Sequence, residues 1–141
     1  MSPETAYGEL GSTYHSVEDI TWLRAIHNIT IVVPADRMGT AAAMRCAPEV
    51  EGPVFILVSR MSVPEVYPAE YSFIPGKAIT LRDGEDVTSI RNGTLLWRAL
   101  GAAEQLQDQA SSAQVIFHAH CETLDIEAVV RAARRRPASS P

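Results

Sequence analysis

Residues Gly11–Asp36, GSTYHSVEDITWLRAIHNITIVVPAD, set the architecture of this chain. Ser16 stands where a helix N-cap belongs, and Asp19, three residues on, completes an acidic form of the capping box. Glu18 and Asp19 place two negative charges in the first turn of the expected helix, where the helix dipole favours them. Val17, Ile20, Leu23 and Ile26 recur at helical spacing and give that helix an apolar face. Asn28 breaks it, and the unbroken apolar run Ile29–Val33 predicts a strand buried on both faces. Pro34 stops the strand, and Asp36 is placed to cap the next helix. The unit is half of a doubly wound α/β layer, with the polar loop Gly11–His15 leading into it.

Outward from this core, Arg37–Ala47 reads as an alanine-rich helix ended by Pro48, with Gly39 weakening its first turn by up to about 1 kcal/mol. Glu51-Gly52-Pro53 is a turn, and Val54–Val58 is a second buried strand with Ser59 and Arg60 at its carboxyl end. Strand, helix, strand in this order implies a right-handed parallel crossover. Met61–Pro75, with prolines at 64, 68 and 75, reads as an interdomain linker. Ile79–Leu81 and Val87–Ile90 flank Arg82–Asp86, which predicts a hairpin or a short bend. Gly93 and Thr94 open a helix striped by Leu96, Ala99, Leu100, Ala103 and Leu106. Ser111-Ser112 breaks it, Gln114–Phe117 is a strand, and Asp125 caps a last helix running to about Arg134. The opening Met1–Leu10 and the closing RRRPASSP are expected to be poorly ordered.

The bulk composition excludes several classes. A chain of 141 residues is one domain's worth, and 46% hydrophobic content fits a globular protein. No apolar run approaches the ~20 residues that span a bilayer. The first ten residues lack the basic start and apolar centre of a secretory signal, so a cytoplasmic location is expected. A net charge of −5 argues against general nucleic-acid binding. Cys46 and Cys121 are read as two reduced thiols. His118 and His120 alternate on one face near a strand end beside Cys121 and Glu122, a pair of the kind that binds zinc or nickel, but a fourth ligand is missing or distant.

The opening stretch resembles the segment of transketolases that runs G-x-T-H-H-S-V-E-D-I-x-x-L-R-x-x-P-N-x-x-V-x-x-P-A-D. The likeness continues through GPVFILVSRMSVPEV (Gly52–Val66), GKAITLRDGEDVTSI (Gly76–Ile90) and ALGAAEQL (Ala99–Leu106). The S-V-E-D and S-R-x-x-x-P blocks favour transketolase over the pyruvate dehydrogenase β subunit and deoxyxylulose phosphate synthase. The resemblance implies an α/β fold of the parallel-sheet, three-layer type that binds the pyrimidine of thiamine diphosphate. Residues 1–64 would be the C-terminal part of that domain, 65–75 a linker, and 76–141 the first part of the family's C-terminal domain. The family's diphosphate-binding domain has no counterpart here, nor do the first strands of the pyrimidine domain or the last of the C-terminal one. Two half-sheets would leave edges and apolar faces without cover, so a partner chain or a homo-oligomer is expected, or else a remnant.

Transketolase moves a two-carbon ketol unit between sugar phosphates, with thiamine diphosphate and magnesium carrying the chemistry. The family's substrate-binding aspartate and first loop histidine correspond here to Leu10 and Tyr14. Leucine cannot orient a hydroxyl, and a phenol near pKa 10 is a poor proton shuttle at neutral pH. A positioned acid or base is typically worth ~10²–10⁴-fold. The second histidine of the loop survives as His15, either a polar contact beside the cofactor or a residue packing over the helix start. Arg60 matches the arginine that grips the sugar phosphate; a surface ion pair is the alternative. The cofactor-activating glutamate and the metal motif fall outside the matched segment. Asp83-Gly84-Glu85-Asp86 evokes that motif only superficially and reads better as a turn. No catalytic residue and no metal ligand is assigned. Two functions stay open: a subunit competent for ketol transfer only with a partner chain, and a non-catalytic remnant or interaction module.

Overall fold

A computed structural model describes residues 2–3, 11, 15–67, 71–121 and 124–134. Strand β1 (Ser2–Pro3) pairs in parallel with β2 (His15–Ser16). Ser16 is therefore strand, not N-cap. Helix α1 is only five residues, Asp19–Leu23, starts from Glu18, and has no side-chain cap. Asp19 commits a carboxylate oxygen to the adjacent Ile20 N–H at 2.9 Å instead of reaching back across a capping box. The apolar face is correspondingly split: Ile20 and Leu23 pack inward, while Val17 and Ile26 are exposed. Asn28 ends the segment as expected, in the left-handed region at φ 64°. Asparagine tolerates that conformation better than most residues.

Strand β3 (Thr30–Val32) pairs in parallel with β4 (Val54–Ile56), with Thr30 opposite Val54 and Val32 opposite Ile56. Its side chains alternate between two cores. Ile31 and Val33 join Leu57, Ile20, Leu23 and Phe55 on one face. Val32 joins Ala43, Leu96, Val115 and Phe117 on the other. Burial on both faces is why the stretch Ile31–Val33 contains no polar residue. Between the strands lies α2 (Arg37–Cys46), followed by a single 3-10 turn, Ala47–Glu49, which carries Pro48.

Downstream, β5 (Ile79–Arg82), β6 (Val87–Arg91) and β7 (Ala113–Phe117) form a mixed sheet in the order β5-β7-β6. No hairpin forms between β5 and β6. Strand β7 lies between them, antiparallel to β5 and parallel to β6. All five of its residues are buried, whereas both neighbours keep exposed positions, so the most apolar strand takes the centre. The bend between β5 and β6 passes so close to the start of β7 that a Cβ on Gly84 would lie 2.2 Å from the Ala113 carbonyl carbon. Helix α3 (Leu96–Asp108) follows a 3-10 turn at Gly93–Leu95 and buries Leu96 and Ala103. Asp125 accepts from Ala128 N–H at 3.0 Å and so caps α4 (Ile126–Arg134), as read from the sequence.

The strand segments on either side of residues 61–75 meet along the free edge of β3. Val33 N–H donates to Ala119 O at 2.7 Å, and Cys121 N–H to Ile31 O at 3.2 Å. The intervening chain is packed rather than loose: Tyr67 is buried, stacks on Tyr71 at 4.0 Å and meets Phe117 edge-on at 5.3 Å. Among the described residues no helix is long and apolar enough to cross a membrane. Of the two chain ends expected to be poorly ordered, Ser2–Pro3 form β1 and Arg134 closes α4, and the other residues lie outside those described.

Candidate functional site

A cleft of about 580 Å³ opens at the carboxyl ends of β3 and β4. Parallel α/β sheets bind ligands at this end, where strands stop and helices begin. Its floor comes from Pro34–Arg37 and Thr40, its far wall from Val58, Ser59, Met61, Ser62 and Glu65. A wider groove of about 830 Å³ lies at the opposite, amino ends of the strands, against Arg24, Ile26–Thr30 and the Glu51–Pro53 turn. It is open turn surface without a convergent buried polar group.

Asp36 organises the cleft. It is buried, and its carboxylate accepts from Gly39 N–H at 2.8 Å, Val66 N–H at 2.7 Å and Tyr67 N–H at 3.3 Å. One side chain thus caps α2 and pins the segment beyond the second wall. Such charge-assisted bonds to backbone are the strong kind. With both oxygens engaged by backbone N–H groups, Asp36 positions the cleft. Arg37, the next residue, pairs with Glu65 across the rim, its Nε donating to Oε1 at 2.9 Å. A strand-end aspartate followed by an arginine at the start of a helix was the sequence signal for that rim, and Glu65 across from it had none.

Arg60 is exposed and engaged in a contact of its own, between Ser59 and Met61, both of which line the cleft. His15 is half-buried in β2 and is not among the described residues of the cleft wall. Tyr14, like Leu10, lies outside the described residues. His118 and His120 do not converge as ligands. His118 Nε2 accepts from Asp125 N–H at 2.9 Å, which leaves Nδ1 as the protonated nitrogen, donating to His120 O at 2.9 Å. Backbone partners thus occupy both its nitrogens. His120 stacks on Phe73 at 5.2 Å, and burial, with His118 as a second cause, pushes its pKa down to about 4. Cys121 accepts instead from the Asn92 side-chain amide at 3.5 Å.

The donors among the described residues do not fit a magnesium–diphosphate group. Among the described residues no three His, Cys, Asp or Glu side chains gather to hold a metal. The carboxylate at the cleft floor already accepts from three backbone N–H groups.

The transketolase pyrimidine-binding domain profile matches residues 4–66. A subunit of the apulose-4-phosphate transketolase of Phocaeicola vulgatus is 36% identical over 134 residues, covering 94% of this chain and 43% of that protein. A putative transketolase C-terminal section from Methanocaldococcus jannaschii is 34% identical over 124 residues, covering 86% and 39%. Among solved structures, a split-gene transketolase in an inactive beta4 tetramer superposes with a TM-score of 0.85 at 33% identity, covering 96% of this chain and 43% of that one. The chain therefore spans less than half the length of these relatives. Profile, identity and fold agree with one another and with the α/β, parallel-strand reading of the opening stretch, and the chain belongs to the transketolase family, in its C-terminal section.

Proposed function

We propose that this chain contributes to thiamine-diphosphate-dependent two-carbon ketol transfer between sugar phosphates, and does so only when assembled with a chain bearing the N-terminal section. The observation that carries the reading is the cleft at the carboxyl ends of β3 and β4, with Arg60 on the strand exit beside it. A guanidinium fork there suits bidentate capture of a phosphate. In this reading Arg60 holds the sugar phosphate, Tyr14 and His15 belong to a cofactor-proximal loop, and the cofactor's diphosphate and magnesium are held by the partner. The division at residues 64 and 76 into a pyrimidine-domain end and a C-terminal-domain start belongs to the same proposal. It is supported by a relative named as a transketolase subunit and by a split-gene beta4 tetramer that is inactive.

The second reading, a non-catalytic remnant or interaction module, is favoured by Leu10 and Tyr14, which replace an aspartate and a histidine of the family's loop. Reconstitution separates the two. The full chain alone, given thiamine diphosphate, magnesium and sugar phosphates, is expected to show no ketol transfer. Mixed with a transketolase N-terminal subunit from the source cells, it is expected to form a complex that turns over. Arg60→Gln in that complex should raise KM for the phosphorylated substrate by roughly tenfold, with a smaller effect on kcat. A complex without turnover would establish the second reading, and turnover by the isolated chain would overturn the dependence on a partner.

A further inference from the structure

The mixed sheet treats its two edges differently. At one, β5 slips register against β7 between Thr80 and Arg82, an irregularity of the kind that blunts a sheet edge. At the other, β6 runs beside β7 in unbroken register from Val87 to Arg91 and has no strand on its far side among the described residues. Val87 N–H donates to Ser112 O, and Arg91 O accepts from His118 N–H, so the odd-numbered residues of β6 turn their backbone groups toward β7. Alternation along the strand then points those of Thr88 and Ile90 to the open edge. Strand β6 carries neither proline nor lysine to guard it.

Apolar surface borders this edge. Val87 and Ile90 are exposed, and Ile90 shares a cleft of about 300 Å³ with the exposed Leu95 and Leu124. Just beyond Leu124, Ile126 and Val130 stand one turn apart on α4, also exposed. A regular edge beside uncovered apolar side chains is a pairing surface. The chain's own RRRPASSP, interrupted by proline and lacking β-branched residues, is no strand to lay there.

The charges select the occupant. A second copy meeting this edge about a two-fold axis pairs antiparallel, with the same patch on both sides. Because the even-numbered residues face outward, the axis passes through Thr88, Ser89 or Ile90. Glu85 and Arg91 lie at equal distances either side of Thr88, so an axis there sets Glu85 of each copy against Arg91 of the other. Both side chains are exposed, and neither makes an ion pair among the described residues. An axis at Ser89 would face Arg91 with Val87, and one at Ile90 would face it with Ser89. Opposite charges placed across strands favour the first register.

We propose that β6 is a self-pairing edge, through which two copies of this chain join antiparallel about Thr88 into one continuous sheet. Thr88 N–H and carbonyl bond to their counterparts, Ile90 N–H reaches the Asp86 carbonyl of the other copy, and a Glu85–Arg91 pair closes each end. This surface is separate from the cleft at β3 and β4 and does not rest on the ketol-transfer reading.

The test takes the full chain through sedimentation equilibrium over a range of micromolar concentrations, with hydrogen exchange followed residue by residue. The chain should form a concentration-dependent dimer, and the Thr88 and Ile90 amides should exchange more slowly as it forms. Arg91→Glu and Glu85→Arg, both exposed changes, should each weaken the dimer roughly tenfold or more. The double variant should recover most of that loss, because the swap restores opposite charges in this register alone. A chain that stays monomeric overturns the proposal, as does a dimer indifferent to both single variants or not rescued by the double one. Slow exchange at Thr88 and Ile90 in a monomer would assign the edge to the chain's own tail and overturn it too.

Discussion

Asp36 joins more of the molecule than any other carboxylate described. Its two oxygens tie the start of α2 to the chain at Val66 and Tyr67, the latter 31 positions further along. Asp36→Asn keeps the shape but turns an acceptor into an amide whose N–H₂ would face backbone donors. Removing half of such a buried, charge-assisted network should cost about 3 kcal/mol of unfolding free energy, read as a lowered urea midpoint. The capping half of this role was legible, because proline followed by aspartate before an alanine-rich run is an N-terminus signature. The second half was not, since nothing local in the sequence says which distant N–H groups arrive at the other oxygen. Arg60 shows the same limit from the other side. Its position after a strand was readable, whereas the Arg37–Glu65 pair on the neighbouring rim joins residues 28 apart in the chain.

At the scale of elements, Gly39 inverts a propensity argument. Read alone, it is a weak point in a helix that alanine would improve by up to about 1 kcal/mol. In the folded chain a Cβ there would lie 2.5 Å from Cε2 of the buried Tyr67 ring, which is itself held by Tyr71 and Phe117. The ring is no flexible tip that can swing aside. Gly39→Ala is therefore expected to destabilise by about 1–3 kcal/mol, the usual range for overpacking, and thermal denaturation checks the sign. Gain of stability would mean that helix propensity outweighs the contact. The mixed sheet makes a related point. Ile79–Arg82 and Val87–Arg91 are near neighbours in sequence and suggested a hairpin or a short bend; the bend forms without the pairing, because the wholly buried β7 takes the central position, where both of its edges are hydrogen-bonded.

For the molecule as a whole, the junction along β3 sets a pH dependence. His120 bridges to Val32 there and lies against Phe73, with a pKa lowered by burial to about 4 from its ordinary value of 6.5. Between those two values the unfolded chain binds more protons than the folded one, so stability falls as pH drops from 6.5 toward 4. The slope is at most about 1.4 kcal/mol per pH unit, and this group contributes no slope above the window. Urea titrations across the window should show that loss in the native sequence and a flatter profile in His120→Phe. Equal slopes in both would assign the effect to other groups.

The α/β class, the two parallel strands around α2, the caps at Asp36 and Asp125, and the family were all legible in the amino-acid chain. Each of these rests on contiguous residues, where hydrophobic period, turn chemistry and motif spacing act within a few positions. The brevity of α1, the insertion of β7 between β5 and β6, and the packing of Tyr67 over Gly39 emerged only once the chain was folded. So did the satisfied state of His118 against His120 Nε2, which has no hydrogen-bond partner among the described residues. Those outcomes depend on which distant surfaces meet, and two strands or two histidines with the same local pattern part ways once one of them is given a partner and the other is not.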